Sequence, residues 1–324
     1  MTPYARNDRA AAIDALLSVA RRETLVLAIA VGALDDDAAA VASEQLRWAI
    51  GSARQLITTT GPDPLEDPRA RQLDRVANRA QRWLFTEPPQ SRREIDRLVD
   101  RVAARRGACA SEPEIDAAHA SLADLDLDEL DLARIALTGA SLIDITARRA
   151  GCDAADARAT RWLRCELEGS SLAAAVFSDS IVEHCELTRA NLEGTSWHGA
   201  TLSHCTLRRA RLVDARLDRA VFSDCNLRAA DLGIASSPSV ATLAGARFVR
   251  CDLRETNWAG RELGGATFID CKLFGAHGAP GLAGVVIERP DVSLIGDGSQ
   301  IQSQHDVVAG WRTIVGASSA NARV

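Results

Sequence analysis

A period of five residues governs the carboxy-terminal half of the chain. From Leu122 to Leu232 every fifth residue is a candidate core position, most often Leu, and the residue two before it is usually Ala, Cys, Ser or Thr. Cys165, Cys185, Cys205, Cys225, Cys251 and Cys271 mark a coarser period of 20, broken where Cys225 and Cys251 stand 26 apart. Five residues fit neither a helix of 3.6 per turn nor a strand of period two, so each unit must form one side of a larger coil. Four sides close a 20-residue turn. The large residue and the small one before it face inward, giving a tube of seven to eight coils stacked about 4.8 Å apart, roughly 35 Å long. One coil cannot bury its own core, so each depends on its neighbours.

The register runs through Ala140-Ser-Leu142, Cys165-Glu-Leu167, Ala175-Val-Phe177, Cys185-Glu-Leu187, Ala190-Asn-Leu192, Ala200-Thr-Leu202, Cys205-Thr-Leu207, Ala210-Arg-Leu212, Cys225-Asn-Leu227 and Ala230-Asp-Leu232. These units resemble the pentapeptide-repeat family, whose pattern is A(N/D)LXX, over residues 120 to 290. The resemblance implies an all-β right-handed quadrilateral β-helix. It also implies binding roles, because Qnr and MfpA type members are dimeric rods that imitate B-form DNA and bind gyrase, some through projecting loops. Other members are secreted effectors or parts of secretion systems.

Several units depart from the pattern. Leu125, Leu130, Ile135 and Ile145 fill slots that later coils give to small residues, which predicts loose or distorted early coils. The units at Ala147, Cys152, Ala157 and Trp162 put strict coil geometry in question between 143 and 163. Arg261 stands at an inward small position, and the register degrades beyond Leu273. Between Cys225 and Cys251 the excess of six residues lies in Gly233 to Val240, a Gly, Ser and Pro-rich segment expected to project as a loop, with Ser236, Ser237, Pro238 and Ser239 as candidate partner contacts.

Residues 1 to 115 lack the five-residue period and read as a helical domain that caps the tube. Helices are expected near 9–22, 37–56, 68–85 and from Ser91 onward, the last with Ser91 and Glu94 as a capping box. Residues 106–113 read as a linker, 116–295 as the solenoid, and 296–324 as a terminal cap or dimerisation tail, with a short amphipathic helix near 305–315. The apolar stretch from Thr24 to Leu34 is too short to span a bilayer. Acidic residues precede it, which argues against a cleaved leader and for a cytoplasmic location, export by a specialised system remaining open.

No nucleophile-base motif, phosphate loop or convergent carboxylate set appears, so the chain reads as non-enzymatic, with no cofactor or metal. His184-Cys185 and His204-Cys205 imitate a metal quartet, but the register turns the thiols in and the imidazoles out, where the two His should stack beside Asp224. The ladder cysteines are expected to be free thiols acting as small hydrophobes. Residues 116–291 hold 25 acidic and 19 basic side chains, while the first 115 balance at 17 and 17. Arg208, Arg228 and Arg254 nevertheless occupy equivalent outward positions, with Arg189 and Arg209 beside them, a basic strip that counts against polyanion mimicry. Direct nucleic-acid binding is not expected, because the balance is acidic and no aromatics interleave with the strip. Ile181, Val221, Val249 and Ile269 add an outward apolar set suited to protein contact. The function expected is a scaffold or adaptor with a protein partner of unknown identity, the alternative being a gyrase-protecting DNA mimic that dimerises.

Overall fold

The backbone of a single unit explains its composition. Take the large inward residue as the reference, for instance Leu187. Its amide donates to Thr206 O on the next coil (2.7 Å), and the amide two residues on, Arg189, donates to Arg208 O (2.9 Å). The preceding amide, Glu186, reaches back to Cys165 O (2.9 Å), and the next small residue closes the corner, Ala190 N to Leu187 O (3.0 Å). One amide is left over, that of the residue following the large one. An Asn, Asp or Glu before the large residue accepts it, as in Thr188 N to Glu186 Oε1 (2.9 Å) and Arg228 N to Asn226 Oδ1 (3.1 Å). In such units all five backbone donors have a partner, as a buried or half-buried chain favours. To turn the corner, the second residue after the large one adopts the left-handed region: φ is 55° at His184, 53° at His204 and 67° at Gly199.

A computed structural model describes residues 3–33, 35–58, 68–80, 115–234, 243–278 and 280–307. One face of the tube is a continuous parallel sheet of nine three-residue strands: β1 Ser121–Ala123, β2 Ser141–Ile143, β3 Arg161–Leu163, β4 Ile181–Glu183, β5 Thr201–Ser203, β6 Val221–Ser223, β7 Arg247–Val249, β8 Thr267–Ile269 and β9 Val286–Glu288. The other three faces are ladders of single parallel bridges, such as Glu186↔Thr206, Asn191↔Arg211 and Ser196↔Arg216. The result is a four-sided solenoid of about eight turns.

The early coils are regular, contrary to the distortion expected from their bulky small-slot residues. The bridges Asp126↔Thr146, Asp131↔Gly151 and Ala136↔Asp156 hold the common register, and Leu125, Leu130, Ile135 and Ile145 are all buried. Two irregularities cancel: where the first coil fills its small slots with Leu and Ile, the second shrinks its large slots to Ala147, Cys152 and Ala157. Total core volume is conserved, which is what a packed interior tolerates best. The expected break between 143 and 163 is absent for the same reason, with β3 carrying buried Trp162 in register with Leu142 and Val182. Beyond Leu273 the register degrades by a single step and is then recovered. It drops one residue, from the pairing Asn257↔His277 to Glu262↔Gly281, and resumes as β9.

Aromatic residues take over the large slots toward the middle and far end. Phe177 and Trp197 stack at 4.2 Å, and Phe222, Phe248 and Phe268 form a column at 4.9 and 5.0 Å. Each core Trp is preceded, two residues earlier, by a Thr that accepts the indole N–H: Trp162 to Thr160, Trp197 to Thr195 and Trp258 to Thr256, at 2.8 to 2.9 Å. These hydroxyls in turn donate to the carbonyls of Ala157, Leu192 and Leu253.

The helical region consists of α1 (Pro3–Gly32), α2 (Asp36–Thr58) and α3 (Pro68–Ala80). The first helix runs ten residues beyond the expected 9–22. Its apolar extension is buried on both sides: Leu27 packs with Leu46, Ala53, Leu73 and Val76, whereas Leu25 and Ala28 join the tube core beside Leu122. A helix apolar around most of its circumference is one enclosed by two partners. The expected fourth helix, the linker at 106–113 and Trp83 lie outside the described residues.

Across this joint runs a buried ion pair, Arg21 Nε to Asp126 Oδ1 at 3.1 Å, while Arg79 donates to Leu125 O and Thr146. Asp128, beside it, accepts the Arg148 amide at 2.8 Å. Burial raises Asp128 above its ordinary carboxylate value; the Arg148 amide offsets part of this and Asp126 adds to it. A raised folded-state pKa means that the folded chain holds the proton more tightly than the unfolded one. Stability contributed by the protonated form is therefore lost as pH rises through that window. Asp128→Asn keeps the acceptor and removes the charge, so its unfolding midpoint should exceed the parent's at pH 7, with the gap closing toward pH 4 in denaturant titrations.

At the opposite end the last strand is finished by a side chain. Gln304 donates its Nε2 to Val285 O (3.1 Å) and accepts Ile287 N at Oε1 (3.2 Å), taking the two groups that a further coil would have taken. Val307 covers the core there. Of the helix expected at 305–315, a helical turn at 304–307 is described and the remainder lies outside the described residues.

Arg261 is buried completely in the tube wall, as its inward register position requires. Its guanidinium donates to Leu232 O (2.6 Å), Ala215 O (2.7 Å) and Leu212 O (3.2 Å), carbonyls at the level where the six extra residues interrupt the coil. Burial lowers its pKa to about 10, with Asp214, Asp218 and Asp231 opposing, so it remains charged at neutral pH. Arg261→Met preserves bulk but strands these acceptors. It should lower stability by about 2–4 kcal/mol in denaturant titrations, since each buried unsatisfied polar group costs about 1–3 kcal/mol.

Candidate interaction surface

Side chains outside the tube fall into columns, because each surface position recurs on every coil. The corner beside the cysteine face reads Asp124, Asp144, Arg164, His184, His204, Asp224, Arg250, Asp270 and Arg289, all at positive φ. Consecutive members pair. Arg164 grips Asp144 through Nε and Nη2 at 2.6 and 2.7 Å, Arg250 grips Asp224 at 2.7 Å twice, and Arg289 grips Asp270 at 2.6 Å twice. The bonded arginines hold Asp144, Asp224 and Asp270 below the usual carboxylate range. Between the first two pairs, His184 and His204 stack at 4.8 Å with 8° between rings, next to Asp224 as the register anticipated.

The cysteines point inward. Cys205 donates to Val182 O and Ser203 O, both at 3.3 Å, and Cys225 to Leu202 O and Ser223 O at 3.5 and 3.3 Å. Cys165, Cys205, Cys225, Cys251 and Cys271 thus each face two carbonyls, one on its own coil and one on the coil before, while Cys185 donates to Glu183 O. All seven described cysteines are free and buried. Burial pushes Cys152 up to about 12 and raises Cys251 well above the ordinary thiol range. In a Cys109→Ser background, a disulfide-exchange reagent should titrate essentially no thiol in the native protein and all seven ladder and core thiols after denaturation in guanidinium. Fast native labelling would contradict the thiol ladder.

The basic strip changes character in three dimensions. Arg228 pairs with Glu255 at 2.6 Å and Arg254 with Asp252 at 2.6 Å, the latter also donating to Leu294 O. Arg208 and its neighbour Arg209 are exposed, as is Arg189 on the coil before. The four apolar candidates share one sheet but divide between two columns, Ile181 and Val221 in one and Val249 and Ile269 in the other. Thr201 separates Ile181 from Val221. Ser236, Ser237, Pro238 and Ser239 lie outside the described residues. Sequence reading did not single out the exposed set Phe274, Leu294 and Ile295 at the far end of the same face as the arginines, nor the pairing that neutralises most corner charges.

Among the described residues, no group of three or more His, Cys, Asp or Glu is arranged to hold a metal ion, and no helix is long and apolar enough to cross a membrane. The geometry is that of a repeat protein in which one short unit builds a four-sided parallel β-solenoid with a helical region packed on its first coil. A family model of pentapeptide repeats matches residues 185–224 and 198–233, in eight copies. Residues 185–233 thus carry pentapeptide repeats, the unit whose register the rest of the solenoid continues. Similar solved structures include trypsin-treated QnrB1, described as a plasmid-mediated fluoroquinolone resistance protein, at 15% identity over 61% of this chain and 92% of that one, with a TM-score of 0.34. HetL, involved in heterocyst differentiation regulation in the cyanobacterium Nostoc, is 19% identical over 62% and 98% of the two chains, with a TM-score of 0.26. A protein of the Arabidopsis thaliana thylakoid lumen is 25% identical over 33% and 64%, at 0.22. No curated protein matches the sequence.

Proposed function

We propose that this chain is a non-enzymatic scaffold that holds a protein partner against the solenoid, with the helical region serving as its cap. The observation that carries this reading is the surface itself. Nine rungs in register present fixed columns of side chains on a wall tied coil to coil by backbone hydrogen bonds, a rigid display with little entropy to lose on binding.

The mimic reading needs a continuous acidic column. Against it stands the corner column, where three Asp residues are each gripped by an Arg on the following coil. Glu166 is likewise bonded by Arg148 and Glu129 by Arg149. A polyanion surrogate keeps its carboxylates uncompensated.

Affinity capture from host lysate with the full chain, compared with a version carrying Arg208→Glu and a version lacking Ser236–Val240, tests the scaffold reading. A partner other than a topoisomerase, retained across salt washes, is the expected result. Recovery of gyrase, together with protection in a supercoiling assay that fails without Ser236–Val240, would replace this reading with the mimic.

A further inference from the structure

We propose that the face following the cysteine corner carries a docking site for an acidic, extended protein segment, seated across Arg189, Arg208 and Arg209. The proposal deepens the scaffold reading and rests on it. The three arginines lie on two consecutive coils, tied by the bonds Arg189 N to Arg208 O (2.9 Å) and Arg209 N to Arg228 O (3.0 Å). All three are exposed, and no carboxylate among the described residues pairs with them. This is unusual for the face. Arg148, Arg149, Arg228 and Arg254 each have an acidic partner there. Residues 235–242 carry no charge and residues 308–324 bring only Arg312 and Arg323, so neither segment holds an acidic side chain.

The chemistry selects among anions. Arginine presents a planar fork of donors matched to carboxylates, and three forks on one rigid wall favour several acidic groups in a row. An extended segment displays alternate side chains about 6.8 Å apart on one side, a step that arginine stems span from rungs about 4.8 Å apart. Nucleic acid fits less well. Its phosphates need a basic track longer than the site, and here Glu168 and Glu186 bound the patch on one side and Glu255 on the other. Beyond Glu255 the face ends in exposed Phe274 and Leu294, which offer the segment an apolar contact after its acidic stretch.

The test uses the full chain and a fluorescein-labelled twelve-residue peptide of alternating Glu and Thr ending in Leu and Phe, read by anisotropy at low and high salt. A variant with Arg189→Glu, Arg208→Glu and Arg209→Glu is compared with one of equal charge change elsewhere, Arg216→Glu, Arg219→Glu and Arg247→Glu. Glu already occupies the equivalent corner at Glu129 and Glu255 with φ of 62°, so the first variant is expected to fold, which circular dichroism checks. The expected result is binding by the parent, a loss of about tenfold or more in the first variant, and little change in the second. Equal loss in both variants, absence of binding by the parent, or tighter binding of a single-stranded oligonucleotide would overturn the proposal. If a captured partner persists in the triple variant, this site is refuted while the scaffold reading stands.

Discussion

Everything in the solenoid depends on one backbone arrangement: a five-residue unit whose amides bond alternately to the coil before, the coil after and its own corner. The corner requires a left-handed residue every fifth position, and the tube accepts Arg, Asp, His, Ala and Gly there. Such backbone costs free energy for residues other than Gly. It persists because the rung bonds on either side determine it from both directions. Side-chain identity outside is then nearly free, which is why charge pairs, a histidine stack and an uncompensated arginine cluster coexist on one rod.

The interior obeys a different rule. Volume is traded between small and large slots, as when Leu125, Leu130 and Ile135 are balanced by Ala147, Cys152 and Ala157 on the next coil. Polar atoms enter only with partners. Most ladder thiols bond to two carbonyls, threonines receive indoles, and Arg261 serves three carbonyls at the interrupted coil. These are local solutions to the same requirement that buried donors and acceptors be matched.

The repeat was legible because a period of five admits few structures, and the inward direction of Cys185 with the outward stacking of His184 followed from register alone. What register could not reveal was compensation. Leu125 read as a misfit because its counterpart lies 22 residues away, at Ala147. The apolar Thr24 to Leu34 stretch outran its helix prediction because its second partner, the tube, is distant in sequence. The Thr-x-Trp recurrence at 160–162, 195–197 and 256–258 was visible in the sequence and marks where each indole finds its acceptor. On the surface, Arg228 and Arg254 looked equivalent to Arg208. They differ in facing carboxylates, Arg228 reaching Glu255 on the next coil and Arg254 folding back on Asp252 of its own.

Gln304 matters for more than closing an edge. Because one side-chain amide completes the last strand, and α1 meets only the first coils, neither terminus of the rod senses how many coils lie between. Gain or loss of a whole 20-residue coil would leave both terminal fittings intact and change the spacing of surface features in steps of about 4.8 Å. The rod is therefore a ruler whose length can drift in evolution by whole divisions, with the distance between its docking features as the quantity open to selection.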